Sequence, residues 1–434
     1  MAENAQAGGG NEPVRGRAKV EGRHFVSPFN FMPEVTAGYD IPTPVSLIDS
    51  TIRKVIYTAG VRPSDSDLRK ICEILDELGI GEESLNMWWR GADVPDEQEF
   101  AAVRTVAKAK PRFLVNVFTE TLIGDGTGPN DKMRRTVDML GEVGIRLLNP
   151  GLLQAPSEDA RKRQIEQLHE MAAYVKAAGM EWNATIAQCG RRDFEGMVAL
   201  SNEAIKAGVR RLDLMDSTSA LSPQAMGHFV RTYRSRMIQP TPMTMHTHDD
   251  FGMATASTVA AVLAGASPDV ALNGMSYRSG FAALEEVVLA LDVLYGIDTG
   301  IRLDRLQWAA DKLARVTKFQ VPPLKPVVGS HQFLREGTDE IARIEAGGSD
   351  ADFALLGSCV APSLTGAKFH WVWASQHSDA IVRTVADKLG IALDDAQVQD
   401  IHTRLEALVA SREVYPRWAT PDEVAAMIRQ VAGV

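Results

Sequence analysis

Residues 211–252 read RLDLMDSTSALSPQAMGHFVRTYRSRMIQPTPMTMHTHDDFG. The stretch opens with an apolar run that ends in Asp216 and continues with helical spacing over 222–233. It closes with a second apolar run that ends in His246 and His248. A strand, a helix and a second strand in this order predict a parallel βαβ unit, because parallel neighbours need a crossover connection. The carboxyl ends of parallel strands share one edge, so we expect the polar residues that end both runs to lie on the same side.

The same alternation continues on both sides of this unit. Further strands are predicted over 45–49, 112–118, 145–149, 181–187 and 269–273. Further helices are predicted over 65–79, 131–144, 158–179, 193–208, 252–265 and 282–295. About eight such repeats in roughly 270 residues fit a (β/α)8 TIM barrel, an α/β fold, better than an open sheet. In such a barrel the active site lies at the carboxyl ends of the strands.

The chain divides into three predicted segments. Residues 1–40 form a disordered or extended N-terminal arm, because residues 2–17 are rich in Gly, Ala, Asn and Glu. Residues 41–318 form the TIM-barrel catalytic domain. A proline-rich stretch over 321–326 then marks a boundary. Helical spacing over 379–389, 395–411 and 421–431 predicts a smaller, mainly helical C-terminal subdomain over 319–434.

The composition is ordinary for a globular protein, with 45% hydrophobic and 24% charged residues. A net charge of -10 and the lack of a long basic run argue against nucleic acid as a partner. No apolar run reaches membrane-spanning length, and the first residues lack the apolar core of a signal peptide. The three cysteines are far apart in sequence and form no CxxC pair, which predicts reduced thiols in a cytoplasmic protein.

His246 and His248 stand at positions i and i+2 of a predicted strand, so both side chains point to the same face. Neutral imidazole is the commonest nitrogen ligand in proteins, and two rings on one strand end are able to hold one divalent metal ion. Two partly buried histidines with ordinary hydrogen bonds are the structural alternative.

Five stretches together resemble the DRE-TIM metallolyase superfamily, which includes isopropylmalate synthase, homocitrate synthase and hydroxymethylglutaryl-CoA lyase. They are 48–53 (IDSTIR), 214–218 (LMDST) followed by Pro223, 246–252 (HTHDDFG), 273–280 (NGMSYRSG) with 284–286 (LEE), and 325–329 (KPVVG) with Phe333. The resemblance implies a TIM barrel that forms or cleaves carbon–carbon bonds by Claisen or aldol chemistry. It also implies a divalent metal ion, a 2-oxo or hydroxy acid as small-molecule substrate, acetyl-CoA or another acyl-CoA, and a cytoplasmic homodimer. The C-terminal extension favours the synthase branch.

Four positions depart from the pattern of the superfamily. Lys54 stands where the family has a metal-ligating aspartate, and Phe281 stands where it has an asparagine ligand. Gln188 replaces a glutamate of strand five, and Asp339 falls near the position of the synthases' subdomain histidine. An ammonium beside a divalent ion is strongly repulsive unless the lysine loses its proton or points away. The substitutions therefore predict weaker metal binding and altered chemistry.

The first interpretation keeps the family reaction. A metal ion polarises the oxygens of a small acid, Arg53 stabilises the enolate oxygen, and Arg53 or Arg278 binds a substrate carboxylate. The metal ligands are His246 and His248, with Asp49, Asp216 and Asp249 as possible replacement oxygen ligands. Arg53 also has a structural alternative, a salt bridge to Asp49 or Glu83 at the rim. The structural alternative for Asp49 is to cap the loop after strand one.

The second interpretation dispenses with the metal. The Lys54 ammonium takes the place of the ion, or a desolvated Lys54 acts as a base or forms a Schiff base with a keto substrate in a retro-aldol reaction. His246 or His248 is then the acid–base group. An exposed surface lysine is the structural alternative for Lys54. A non-catalytic barrel that only binds or regulates is a third interpretation, from another class of function.

The candidate site gathers residues from several predicted strand ends. The catalytic candidates are Arg53, Lys54, Glu83, Gln188 and His248, and the substrate-binding candidates are Arg278, Asn116, Thr218 and Trp88. Trp88 follows the second strand, where an aromatic wall suits a bulky or apolar substrate. Ordinary packing beneath a loop is the alternative for this tryptophan.

Overall fold

A computed structural model describes residues 16–90, 92, 94–123, 131–152, 155, 157–348, 350–374 and 378–434. The chain forms two compact units. The first is built mainly from Ser27–Arg302 and Ala309–Gln320. The second consists of Lys19–Val26, Leu303–Trp308 and Val321–Val434.

A closed parallel β-barrel forms the centre of the first unit. In the part of the chain that the structure describes, its eight strands are β1 (Ile48–Asp49), β2 (Glu82–Met87), β3 (Leu114–Ile123), β4 (Leu147–Leu152), β5 (Ala184–Ala187), β6 (Leu212–Asp216), β7 (Met243–Thr247) and β8 (Ser267–Val270). Each strand pairs in parallel with the next along the chain, and β8 pairs with β1 to close the ring. A short piece, Glu181–Trp182, precedes β5 and also pairs with β4. The predicted TIM barrel is confirmed.

Helices follow the strands and pack around the barrel. They are α1 (Thr51–Tyr57), α2 (Asp65–Leu78), α3 (Glu97–Ala109), α4 (Asp131–Glu142), α5 (Glu158–Ala177), α6 (Phe194–Lys206), α7 (Pro223–Ser235), α8 (Ala254–Val262), α9 (Leu284–Tyr295) and α10 (Leu306–Thr317). The sequence signals that start and stop a helix are visible in α2. Ser64 and Asp67 form a capping box at its start, and Gly79 ends it with a left-handed φ of 85°.

A polar network fills the amino-terminal end of the barrel. Arg211 donates to Glu82 Oε1 at 2.6 Å and to Asp213 Oδ1 at 2.6 Å. Asn116 donates to the same Glu82 oxygen at 3.1 Å, and Asn149 donates to Asp213 Oδ2 at 2.7 Å. Buried charges that are paired and hydrogen-bonded in this way are satisfied. This end of the barrel is therefore structural, and the candidate catalytic residues are expected at the carboxyl ends of the strands.

The second unit contributes helices α11 (Thr338–Glu345), α12 (Asp379–Leu389), α13 (Asp395–Ala410) and α14 (Pro421–Ala432). Their apolar faces share one core with the buried rings of Trp371 and Trp373. These two tryptophans therefore serve packing. Within the described ranges, none of the helices combines the length and the apolar character needed to span a bilayer.

Candidate active site

Two buried carboxylates fix the helix that carries Arg53 and Lys54. β1 ends at Asp49, whose Oδ1 accepts a hydrogen bond from the backbone N–H of Thr51 at 2.8 Å. Glu83, beside Asp49 on β2, accepts from the backbone N–H of Ile52 at 2.8 Å. The first N–H groups of a helix have no partner inside the helix, and these carboxylates satisfy two of them. The first turn of α1 is thus fastened to Asp49 at the end of β1 and to Glu83 on β2.

Asp49 and Glu83 also perturb each other. Both are fully buried, and one oxygen of each, Oδ2 and Oε2, has no donor when both groups are ionised. Burial raises the pKa of Asp49 to about 6. Burial and the neighbouring Asp49 raise the pKa of Glu83 well above its usual value. A proton on Glu83 supplies the missing donor, so the pair keeps one proton and one negative charge near neutral pH.

Arg53 is a buried cation in this site. Its guanidinium lies 4.9 Å from the centre of the Phe118 ring, and its closest polar contact is Ser84 Oγ at 3.5 Å. Among the described residues no carboxylate forms an ion pair with it, and Nε has no hydrogen-bond partner. The predicted structural alternative, a salt bridge to Asp49 or Glu83, is therefore wrong. Trp88 packs against the Phe118 ring in an edge-on contact, with the two ring centres 5.3 Å apart.

The orientation of the His246 ring is set by β8. His246 and Asp269 are register partners of β7 and β8, and Nδ1 lies 2.6 Å from Asp269 Oδ2. The other carboxylate oxygen accepts from Ser50 Oγ at 2.7 Å. Because the carboxylate is an acceptor, the Nδ1 atom carries the ring proton, and Nε2 presents a lone pair to the barrel mouth.

His248 is oriented in the same sense by the backbone. Its Nδ1 lies 3.0 Å from the carbonyl oxygen of Gly280, which only accepts, so Nδ1 must donate. The two Nε2 atoms of His246 and His248 are 3.4 Å apart. Burial and the nearby Lys54 lower the pKa of both histidines well below the usual value. Both rings are therefore neutral at physiological pH, with their lone pairs converging.

Lys54 Nζ occupies the point at which the two lone pairs converge. It lies 3.2 Å from His246 Nε2 and 3.4 Å from His248 Nε2. Its third neighbour is the Phe281 ring, whose centre is 4.2 Å away. The Lys54 side chain is only 1% exposed, so the predicted alternative of a surface lysine is wrong. Burial, followed by the charge of Arg53, lowers the pKa of Lys54 well below its usual value.

The arrangement does not fit a divalent metal ion. Two histidines that bind a metal need their protons held on Nδ1 and the lone pairs of Nε2 directed at the ion, and His246 and His248 meet this requirement. However, Lys54 Nζ already occupies the position that both lone pairs face, and an ion about 2.1 Å from each nitrogen would have to displace it. In the described residues no group of three or more His, Cys, Asp or Glu side chains is placed to hold a metal. The expected ligand set is thus not assembled.

The proposed oxygen ligands serve the backbone instead. Asp216 accepts from the N–H groups of Ala220 and Leu221, each at 2.9 Å, and so holds the loop after β6. Asp249 accepts from the N–H of Ala254 at 2.8 Å at the start of α8. Asp49 Oδ1 accepts from the N–H of Thr51, the first residue of α1, as its structural alternative expects.

Other predicted site residues lie at varying distances from this cluster. Asn116 belongs to the polar network at the amino-terminal end, so its expected place at the rim is wrong. Gln188 is at the end of β5 with φ 57°, exposed, and its backbone N–H donates to Ser217. Thr218 follows β6 and keeps a buried hydroxyl without a partner. Arg278 is half-exposed and binds Asp250 through two nitrogens at 2.8 and 2.9 Å.

Sequence reasoning missed three partners of the cluster. Helix α1 itself was not predicted, although it places Arg53 and Lys54. Asp269 was assigned only to a strand; its signal was a lone carboxylate within an apolar run. Phe118 and Tyr277 carried no signal, because an aromatic residue at a strand end or in a loop is usually packing. Tyr277 lies 4.7 Å from the His248 ring and 5.5 Å from Lys54 Nζ.

The barrel mouth holds several buried polar atoms without hydrogen-bond partners. Besides Arg53 Nε, they include Asn86 Oδ1, Trp88 Nε1, Thr119 Oγ1, Thr218 Oγ1, Thr247 Oγ1 and Ser276 Oγ. A buried polar atom without a hydrogen-bond partner lowers stability by on the order of 1–3 kcal/mol. A group of such atoms is therefore unusual in a protein interior that binds no ligand. A polar ligand would satisfy such atoms. A cavity of about 240 Å³ adjoins the cluster, lined by Leu221, Thr247, His248, Phe251 and Met253 among others.

Comparison with known proteins places this geometry in a family. Residues 44–313 match the model of the HMGL-like family. The chain is 29% identical to a homocitrate synthase AksA of Methanopyrus kandleri over 380 residues, which cover 87% of this chain and 91% of that protein. An (R)-citramalate synthase CimA of Methanocaldococcus jannaschii is 27% identical over 396 residues, which cover 90% of this chain and 75% of that protein.

A solved structure supports the fold. The hydroxymethylglutaryl-CoA lyase from Pseudomonas aeruginosa superimposes with a TM-score of 0.53 at 16% identity, over 65% of this chain and 95% of that one. At that identity the likeness shows the fold alone. The family match spans the whole barrel, including all eight strands and the Lys54–His246–His248 cluster. The chain therefore belongs to the HMGL-like family, as its motifs predict, and is a Claisen-type carbon–carbon condensation enzyme.

Proposed function

We propose that this enzyme condenses a 2-oxo acid with an acyl-CoA at the carboxyl ends of its barrel strands. The carrying observation is Arg53, a buried guanidinium without an anionic partner among the described residues. A buried charge is costly unless it is paired, and arginine binds carboxylates through two parallel hydrogen bonds. A substrate carboxylate supplies the missing partner.

The relatives' names agree with this substrate class. The products named for two relatives, citramalate and homocitrate, are hydroxy acids, and the resemblance of the motifs implies an acyl-CoA as the second substrate. In this chain the 2-oxo acid carboxylate binds Arg53, and its keto oxygen faces the Lys54 cluster. The unpartnered hydroxyls of Thr218 and Thr247 line the same mouth. The 240 Å³ cavity beside His248, with Phe251 and Met253 in its wall, takes the acyl end of the thioester.

The test is a substrate screen in which free CoA is released. Pyruvate, 2-oxoisovalerate and 2-oxoglutarate are each offered with acetyl-CoA, and CoA release is followed together with the hydroxy acid product. We expect one 2-oxo acid to stimulate CoA release at least about tenfold. The matched control is the amide of that acid, which keeps the keto group but lacks the carboxylate. Equal rates with acid and amide would contradict the role of Arg53.

A second candidate is a Schiff-base reaction at Lys54, such as retro-aldol cleavage. The specific observation in its favour is the burial of Nζ, which lowers the pKa of the amine and favours a nucleophile. Borohydride treatment with a 2-oxo acid distinguishes it, because a reduced imine leaves a stable added mass on a peptide that contains Lys54. A non-catalytic role is the remaining alternative, and CoA release in the screen excludes it.

A further inference from the structure

We propose that Lys54 Nζ is a built-in replacement for a divalent metal ion, held by the lone pairs of His246 and His248, and that it donates to the keto oxygen of the bound 2-oxo acid. The inference deepens the proposed function and rests on it for the identity of the acceptor. Its first half, the replacement of the ion, concerns the protein alone and is testable without any reaction.

The first argument is the hydrogen-bond inventory of the cluster. Asp269 and the Gly280 carbonyl oblige both Nδ1 atoms to donate, so both Nε2 atoms must accept. Lys54 Nζ lies within 3.4 Å of both Nε2 atoms. Since neither Nε2 atom carries a proton, Nζ must be the donor in both contacts. Two of its hydrogens are therefore committed to His246 and His248. An imidazole pair arranged in this way offers a cation the same two ligands that it would offer a metal.

The second argument is the environment of the third hydrogen. Nζ faces the Phe281 ring at 4.2 Å and the Tyr277 ring at 5.5 Å. The face of an aromatic ring is electronegative, so it attracts an ammonium and repels the lone pair of an amine. Asp269, reached through His246, adds a buried negative charge behind the cluster. The two Nε2 atoms and the Phe281 ring face thus offset part of the cost of burying an ammonium, whereas burial and the charge of Arg53 lower the pKa of Lys54.

The third argument is that two sequence departures meet in space. Phe281 is bridged to His248 by backbone pairing, and its ring contacts the rings of both His246 and His248, at 4.3 and 5.3 Å. Lys54 reaches the same point from α1. The resemblance implies a metal ion and an asparagine ligand at this point, whereas this chain has Lys54 Nζ and the Phe281 ring. The ring face attracts an ammonium, so the two substitutions support each other.

The chemistry balances with Lys54 as a donor. The α-carbon anion of the acyl thioester adds to the keto carbon, and the π electrons of the keto group move to its oxygen. That oxygen takes a proton from the Lys54 ammonium and becomes a tertiary alcohol. The proton that was removed from the α-carbon returns to the amine through solvent. Two reactants thus give one hydroxyacyl thioester, and the enzyme is restored. Water then cleaves the carbon–sulfur bond of the thioester, which gives the hydroxy acid and the free CoA that the substrate screen follows.

The same balance excludes a Schiff base in the condensation. If Lys54 first formed an imine with the keto group, addition of the carbanion would leave a carbon–nitrogen single bond to Nζ. That bond is an amine and is not hydrolysed, so the product would stay on the enzyme. Donation to the oxygen therefore suits condensation. The hydrogen that faces the Phe281 ring is the one left to donate to the substrate oxygen.

The metal test uses elemental analysis and calorimetry with Mn²⁺. After incubation with Mn²⁺ and gel filtration, we expect less than about 0.1 ion per chain in the wild type and about one in Lys54→Asp, because an anionic ligand replaces the cation. Lys54→Met, of similar size but without charge or a hard ligand, is the matched control and should bind none. His246→Ala added to Lys54→Asp should abolish the binding. One tight Mn²⁺ in the wild type that His246→Ala removes would overturn the proposal.

Two further measurements cover the donor role and a failure of Lys54→Asp to fold. Pyruvate binding by calorimetry should weaken about 10- to 100-fold in Lys54→Met, as expected when a charged donor is lost. Unchanged binding in a folded Lys54→Met, or a borohydride-trapped adduct on Lys54 in the wild type, would overturn the donor role. If the wild type excludes Mn²⁺ and Lys54→Asp admits it, while no 2-oxo acid stimulates CoA release, the replacement of the ion stands and the proposed function fails.

Discussion

His246 Nδ1 and Asp269 Oδ2 lie 2.6 Å apart, between residues that are register partners on β7 and β8. The contact fixes both the plane of the imidazole and the position of its proton. Such outer partners orient a working histidine, although they do not touch the reacting atoms. Asp269 is therefore a positioning residue, and its effect passes through His246 to Lys54.

Asp269→Ala should reduce kcat by about 10- to 100-fold, because His246 loses its fixed tautomer. KM should change much less, since Asp269 does not contact substrate. Asp269→Asn keeps an oxygen acceptor for the Nδ1 proton and should recover most of the loss. Steady-state kinetics of the wild type, Asp269→Ala and Asp269→Asn separate the effect on kcat from the effect on KM. Equal losses in Asp269→Ala and Asp269→Asn would show that the charge, not the orientation, is what matters.

Arg53→Ala should lower kcat/KM by at least about a thousandfold, because it removes both the charge for the substrate carboxylate and the stabiliser of the enolate oxygen. The matched control is Arg236→Ala, an exposed arginine whose ion pair with Glu195 lies on the surface. That variant should retain the wild-type rate. Circular dichroism checks that both variants are folded. A near-normal rate in Arg53→Ala would show that Arg53 is not part of the active site.

His248→Ala removes one of the two acceptors that hold Lys54 Nζ. We expect turnover to fall by about 100-fold or more, with the barrel still folded. His228→Ala, at an exposed position on α7, is the control and should leave turnover unchanged. The comparison is made by CoA release at saturating substrate. A drop of less than about threefold in His248→Ala would mean that His246 alone positions the lysine.

The stability of the fold should fall as the pH rises from about 4 to about 6.5. Asp49 has its pKa raised to about 6, so the folded state binds a proton that the unfolded state has already lost. The penalty is absent below the unfolded pKa, grows through this window and is complete above it. It amounts to on the order of 3 kcal/mol.

Urea unfolding of the wild type and Asp49→Asn at several pH values isolates this effect. The asparagine does not titrate, so the free energy of unfolding of the wild type relative to the variant should decline between pH 4 and 6.5. A difference that is constant with pH would show that Asp49 does not hold a raised pKa.

Thiol reactivity should separate the three cysteines. Burial raises the pKa of Cys72 to about 12 and that of Cys189 further, whereas Cys359 is exposed. The thiolate is the reactive form. A disulfide reagent at pH 8 should therefore modify one thiol per native chain and three after denaturation. Rapid modification of two or more thiols in the native protein, or protection of Cys359 shown by peptide mapping, would contradict this assignment.

The sequence predicted the repeat of strands and helices because apolar residues recur with a different spacing in a helix than in a strand. The predicted helix over 379–389 and the observed Asp379–Leu389 coincide, and 158–179 differs from Glu158–Ala177 by two residues at one end. Helix α3 was missed, although Asp96 caps it and acidic residues fill its first turn. Helix α1 was missed because seven residues are too few to show a helical period.

The sequence by itself determined the barrel, the family and the two histidines on one strand end, since all three are written in local patterns and in the order of motifs. It also showed that Lys54 and Phe281 stand where ligands are expected. Only the tertiary structure decided that Lys54 Nζ lies between two Nε2 atoms and over the Phe281 ring. The physical reason is that the distances between α1, β7 and the loop after β8 are set by closure of the barrel, which joins residues about 200 positions apart.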